Sequence, residues 1–133
     1  MQRLSPTFAQ PSAVPITLDF ERLRLLMLNQ PVTESQPRNW EAACYQYRCF
    51  LGLKQRYPSL LLVPPPAALQ LWHIHILDTR AYRSDCERLL QRFLDHLPGL
   101  GLYGLADQQQ LHAAREACRA LLLHHYGPDS LRA

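Results

Sequence analysis

Apolar residues recur at three- and four-residue steps along most of the chain, which is the spacing of one face of an α-helix. The clearest stripes run from Trp40 to Lys54 and from Leu111 to His125. No stretch alternates apolar and polar residues convincingly enough to indicate a half-buried strand. The sequence therefore predicts an all-α fold, a single-domain bundle of four to five helices.

The first two helices are bounded by capping residues and prolines. We expect the first to begin at Thr17, whose hydroxyl can cap free backbone amides, and to end by Pro31. The second is expected to follow a connector in which Ser35 is the cap, and to run to about Arg56, before Pro58. Its predicted buried stripe is Trp40, Ala43, Cys44, Tyr47, Phe50, Leu51 and Lys54.

The central segment follows three prolines at 64–66, so the third helix must start at or after Pro66. Its first stripe is Leu69, Trp72, His73 and Ile76. A second stripe consists of Tyr82, Cys86, Leu89, Leu90, Phe93, Leu94 and Leu97. The segment is either one helix or two helices that meet at Asp78, where Asp78 and Thr79 can cap the second. We expect a break or a kink there.

Asp107 and Gln110 have the spacing of a capping box, which predicts the start of the last helix. Its predicted stripe is Leu111, Ala114, Cys118, Leu121 and His125, and Gly127 with Pro128 ends it. The glycine-containing segment from Pro98 to Gly104 is too apolar for a free linker, and we expect it to fold back over the core. The predicted organisation is a flexible arm over 1–15, a helical domain over 16–127 and a fraying tail over 128–133.

Composition narrows the class of protein. The chain has 133 residues, of which 47% are hydrophobic and 19% are charged, an ordinary balance for one globular domain. The net charge is +3 and the basic residues are scattered, which argues against a nucleic-acid partner. No apolar run approaches the roughly 20 residues of a membrane span. We therefore expect a cytoplasmic protein that does not insert into membranes and whose partner is another protein.

The four cysteines, Cys44, Cys49, Cys86 and Cys118, form no Cys-x-x-Cys pair. Cys44 and Cys118 fall on apolar stripes, where a small buried core residue is the simplest interpretation. Cys44 and Cys49 are five positions apart on one helix and so point away from each other. The sequence therefore predicts reduced, unreactive thiols and no cysteine metal site.

His73 and His75 carry the strongest suggestion of chemistry. On a strand they would share a face and could bind one metal ion, but on a helix residues two apart point about 200° from each other. We expect His73 to face the apolar interior and His75 to face Asp78 and Tyr82. A carboxylate that accepts a ring N–H of His75 would fix its tautomer and raise the basicity of the other nitrogen.

The central segment also carries a family resemblance. The residues concerned are Trp72, His73, His75, Ile76, Leu77, Asp78, Thr79, Arg80, Tyr82, Asp85 and Cys86. With this motif, and over about Trp40 to Gly104, the chain resembles the glycine-rich-domain-containing-protein-like family, found in bacteria and within longer plant and fungal proteins. Leu89 and Leu90 stand where bacterial members usually have Phe-Gly, and Asp95 stands where a histidine often precedes His96. The resemblance implies no defined activity and no role for Asp95.

Two functional hypotheses follow. In the first, the protein is a small interaction or adaptor module whose buried His/Asp/Tyr network organises the central helix. In the second, it binds a transition metal, or uses one in catalysis, through His73, His75 and His96, although no Glu-x-x-His or His-Glu-x-x-His motif is present. No catalytic residue is assigned. The candidate site residues are Trp72, His73, His75, Asp78, Arg80, Tyr82, Asp85 and Cys86.

Overall fold

A computed structural model of the chain describes residues 16–31 and 36–133. Its helices are α1 (Phe20–Leu28), α2 (Trp40–Arg56), α3 (Pro66–Leu77), α4 (Thr79–Leu90) and α5 (Leu105–Tyr126), followed by a 3₁₀ helix (Pro128–Leu131). The described ranges contain no strand, and the prediction of an all-α bundle is confirmed. None of these helices is both long and apolar enough to cross a membrane. The predicted arm over 1–15 and the predicted cap Ser35 lie outside the described residues.

The first two helices begin later than the sequence predicts. α1 begins at Phe20 and not at Thr17, because the Asp19 carboxylate accepts a hydrogen bond from the amide three residues on. α2 begins at Trp40, where the Asn39 side chain caps the helix in the same way. Aspartate and asparagine are at least as good as threonine and serine at this position, and here they stand closer to the apolar stripe.

The central segment is broken at Asp78, as expected, and forms two helices. Asp78 has a non-helical backbone, but its side chain does not cap α4 and instead pairs with Arg22 of α1. α4 ends at Leu90 because Gln91 adopts a left-handed conformation, with φ of 56°. The predicted continuation of the helical stripe to Leu97 is therefore wrong.

The predicted capping box of the last helix is also wrong. α5 begins at Leu105, and Asp107 lies in its first turn. The Asp107 carboxylate accepts hydrogen bonds from the amides of Gly101 and Tyr103, at 2.5 and 3.2 Å. It thereby fixes the preceding turn, in which Gly101 and Gly104 have positive φ angles that favour glycine.

The segment expected to fray contains the 3₁₀ helix Pro128–Leu131, which contacts α2 and α5. In the 3₁₀ helix Ser130 is buried, and its carbonyl accepts a hydrogen bond from the Gln46 amide of α2 at 2.8 Å. The Gln46 oxygen in turn accepts a hydrogen bond from the Ala68 amide of α3 at 3.1 Å. One buried side chain therefore holds together α2, the start of α3 and the chain terminus.

The core is centred on α2, which contacts α3, α4, α5 and the 3₁₀ helix. We expected the segment from Trp72 to Cys86 at the centre, but α2 takes that place because it is buried over most of its length. α3 lies beside it and also contacts α1 and α4. The core includes the fully buried side chains of Tyr47, Phe50, Leu53, Leu71, Tyr82, Cys118 and Leu122.

Candidate functional site

His73 and His75 leave α3 in different directions, as the helical spacing predicts. His75, expected in a buried His/Asp/Tyr network, is 3% exposed, whereas His73, expected to face the apolar interior, is only half-buried. The reason is that α3 is covered by α1, α2 and α4, so its buried face extends round the helix to include His75. The two imidazoles therefore belong to two separate clusters.

His75 is held at both ring nitrogens. Its Nε2 lies 2.8 Å from the Asp85 carboxylate of α4, and its Nδ1 lies 2.7 Å from the Tyr47 hydroxyl of α2. Because an ionised carboxylate only accepts hydrogen bonds, the proton is on Nε2, and Nδ1 accepts from the Tyr47 hydroxyl. We call Tyr47, His75 and Asp85 the buried triad.

The carboxylate that the sequence favoured for His75 was the wrong one. Asp78 stands at the break between α3 and α4, where its side chain meets Arg22 of α1. That hydrogen bond lowers the pKa of Asp78 below its usual value. Asp85, two turns into α4, reaches His75 instead because the break folds α4 back against α3, and its other oxygen accepts a hydrogen bond from Arg88 at 2.9 Å.

Burial keeps the triad's ring and hydroxyl uncharged. Desolvation lowers the pKa of His75, although the hydrogen bond to Asp85 acts in the opposite direction. Desolvation also raises the pKa of Tyr47 well above its ordinary value. At neutral pH the triad is a neutral phenol and a neutral imidazole beside a carboxylate.

Tyr82 belongs to a second buried arrangement and forms only a ring contact with His75. Its hydroxyl accepts a hydrogen bond from Trp72 Nε1 at 2.8 Å and donates one to the Leu94 carbonyl at 2.5 Å. The Tyr82 and His75 rings meet edge to face with centroids 4.9 Å apart. Tyr82 therefore joins α3, α4 and the chain that follows α4.

The remaining candidates have lesser roles. Cys86 is buried in the core and Arg80 is exposed on the surface of α4. Cys44, predicted to be buried, is only partly so. Burial raises the pKa of the Cys49 and Cys118 thiols to about 12, so these two are not nucleophiles at neutral pH.

His73 meets His96, which lies in the irregular segment after α4. The two Nε2 atoms are 3.0 Å apart, and the ring of His96 also packs on Trp72 with centroids 4.7 Å apart. Burial lowers the pKa of both histidines, and His96 is lowered further by His73. Two of the three predicted metal ligands are thus brought together. His75 is not with them, because both of its nitrogens have other partners.

The described ranges hold no group of three or more histidine, cysteine, aspartate or glutamate side chains placed to bind a metal ion. The His73–His96 pair is therefore two potential ligands and not a complete site. Both rings line a cavity of about 250 Å³ between α3, the segment after α4, and α5. Its walls are largely apolar and include Leu62, Val63, Leu69, Leu94, Leu100 and Leu111.

Lys54 is the residue of this cavity whose significance the sequence did not reveal. It falls on the apolar stripe of α2, it is only 6% exposed, and its ammonium donates a hydrogen bond to the Leu60 carbonyl at 2.5 Å. Burial, followed by the nearby Arg92, lowers the pKa of Lys54. A lysine on an otherwise apolar stripe was the available signal, because lysine is almost never fully buried without a partner.

Comparison of the chain with protein-family models, with curated proteins and with solved structures found no match. The resemblance carried by the segment from Trp72 to Cys86 therefore stays a prediction.

The pKa directions predict how stability depends on pH. An unfolded histidine takes up a proton near pH 6.5, whereas His73, His75 and His96 resist protonation in the folded protein. The unfolded state then binds more protons, so this stability is present above pH 6.5 and is lost as the pH falls below it, by at most about 1.4 kcal/mol per pH unit for each histidine.

Urea unfolding at pH 7.5, 6.5 and 5.5 measures this effect. His75→Gln, which cannot become charged, should reduce the pH dependence. His112→Gln, at an exposed position of α5, should leave it unchanged. Equal unfolding free energies of the unsubstituted protein at all three pH values would contradict the prediction.

Proposed function

We propose that the protein is a small helical binding module. In this proposal the buried triad is structural, and recognition takes place at the cavity beside His73 and His96. One observation best supports a structural role for the triad and recognition at the cavity. Both ring nitrogens of His75 bind other side chains of the same protein, whereas His73 and His96 line a cavity.

The triad has the residue types of a proton relay, but the pocket that His75 and Asp85 line beside α1 has a volume of only about 20 Å³, too small for an organic substrate. Tyr47 is fully buried and His75 nearly so, and the three residues come from α2, α3 and α4. A general base must come within hydrogen-bond distance of the proton it removes. A structural role fits better, because the same three contacts fix the positions of three helices.

The cavity has the general features of a recognition site. A pocket with mostly apolar walls and a few converging polar groups is the usual form of a ligand site, and its volume of about 250 Å³ is just below the common range of roughly 300 to 1,000 Å³. Leu97 at its edge and Leu102 and Tyr103 in the following loop are exposed. A protein partner bound here would cover these side chains.

NMR titration with a library of small organic fragments tests the proposal. We expect the amide shifts caused by binding to cluster at Val63, Trp72, His73 and His96. Leu69→Trp, which fills the cavity, should abolish them. Leu28→Trp, at a position that is 71% exposed, is the matched control and should leave them unchanged. Amide shifts at residues that do not line the cavity, or shifts that persist in Leu69→Trp, would contradict the proposal.

Metal binding is a second candidate, favoured by the geometry of His73 and His96. Two imidazole nitrogens bound to one tetrahedral ion, each about 2.0 to 2.1 Å from it, lie roughly 3.3 to 3.4 Å apart. The observed separation of 3.0 Å is close to this value. The two imidazoles would supply two of the four ligands, and water or a bound ligand would supply the others.

Calorimetric titration with Zn²⁺ and Cu²⁺ tests this candidate. One equivalent should bind to the unsubstituted protein, and binding should be lost in both His73→Gln and His96→Gln. His112→Gln retains binding if the site is the pair. Binding that is unaffected by the first two substitutions, or no binding at all, rules the candidate out.

A further inference from the structure

We propose that the cavity binds a small organic acid, with its carboxylate against the Lys54 ammonium and its apolar body against the leucine-rich walls. This inference rests on the proposed function, because it names the ligand class of that same cavity. The observation that supports it is the buried Lys54 ammonium, whose hydrogen-bonding capacity the described residues satisfy only in part.

Lys54 provides the charge. An ammonium has three donor hydrogens, and the Leu60 carbonyl is its one hydrogen-bond acceptor among the residues that the structure describes. Across the same residues no carboxylate forms an ion pair with it. Burying an ammonium is unfavourable unless hydrogen bonds or an opposite charge compensate it. A ligand carboxylate would supply both.

The charges around the cavity favour an anion over a cation. Lys54 of α2 and Arg115 of α5 both line it, and Asp95 is the one carboxylate in the lining. His73 and His96 have lowered pKa values, so they are neutral at neutral pH and contribute hydrogen bonding without charge. The lining therefore carries a net positive charge.

The walls restrict the rest of the ligand. Leucines from the connector before α3, from α3, from the segment after α4 and from α5 form an apolar wall that suits an apolar ligand body. The volume of about 250 Å³ limits the ligand to a small molecule. A short unbranched or aromatic acid fits these limits, and octanoate is a suitable probe.

Trp72 provides the measurement, because its ring lines the cavity and the chain has one other tryptophan, Trp40. In Trp40→Phe the emission of Trp72 can be followed alone during titration with octanoate, octanol and octylammonium. Octanoate should bind saturably and at least about tenfold more tightly than octanol, as a charge-assisted hydrogen bond implies. Octylammonium should bind more weakly than either.

Lys54→Met, made in the Trp40→Phe background, should remove the preference for octanoate while leaving octanol binding in place. Lys54→Gln is the second variant should Lys54→Met fail to fold, and Arg83→Met, at an exposed position of α4, is the charge control. Octanoate that binds no better than octanol, or a preference that survives both substitutions of Lys54, overturns the inference.

The outcomes separate this inference from the proposed function. If octanol and neutral fragments bind in the cavity without a preference for the acid, the ligand class is wrong and the binding module stands. If no probe binds and no fragment shifts the amide signals of the cavity residues, both the ligand class and the binding module are contradicted.

Discussion

The His75→Ala variant is expected to lose about 3 to 5 kcal/mol of unfolding free energy. The substitution leaves the buried Tyr47 hydroxyl and an oxygen of the partly buried Asp85 without their partner, and it creates a cavity between three helices. Each orphaned group loses roughly 1 to 3 kcal/mol, and the lost packing adds to this. An effect of this size is a large part of the stability of a small domain.

Urea unfolding followed by circular dichroism at pH 7.5 measures the effect. The control is His112→Ala on the exposed face of α5, which should change stability by less than about 0.5 kcal/mol. Tyr47→Phe removes one hydrogen bond and keeps the ring, so it should have an intermediate effect. A loss of under 1 kcal/mol in His75→Ala would show that the triad is not what holds α2, α3 and α4 together.

The second large effect is expected for Tyr82→Phe, at about 2 to 4 kcal/mol of unfolding free energy. The hydroxyl is the acceptor for the Trp72 indole N–H and the donor to the Leu94 carbonyl, and all three groups are buried. Phenylalanine fills the same space but leaves both partners unsatisfied. The contact also bridges the break at Asp78, so its loss should loosen the angle between α3 and α4.

The same unfolding assay measures this loss, with Tyr103→Phe as the control because that side chain is 84% exposed. Tyr82→Phe should also shift the emission of Trp72, since its indole N–H loses a buried acceptor. A variant as stable as the unsubstituted protein, with unchanged emission, would contradict the hydrogen bonds described for Tyr82.

The sequence predicted the parts of the fold that depend on local patterns. The three- and four-residue spacing of apolar residues predicted α2 and α5. The three prolines predicted the start of α3, and Asp78 predicted the break before α4. These features depend on residues within a few positions of one another. The capping residues of α1 and α2 were misassigned because several good caps stand close together, and only the fold decides between them.

The parts of the site that the sequence missed depend on distant residues. Tyr47 reaches His75 across 28 positions and His96 reaches His73 across 23. The nearer carboxylate, Asp78, was preferred over Asp85 because periodicity carries no information on how a broken helix folds back. The end of α4 was missed for a similar reason, since Gln91 adopts a left-handed conformation that its residue type does not favour.

The central claim is that His75 is held in a structural triad while His73 and His96 face a binding cavity. Long-range ¹H–¹⁵N NMR spectra of the imidazoles test it most directly. We expect His75 to be neutral at pH 7.5, with its proton on Nε2, to take up a proton only below pH 6.5, and to be unaffected by octanoate, while the signals of His73 and His96 shift on binding. A His75 that titrates near pH 6.5, or that responds to octanoate while the other two do not, would contradict the claim.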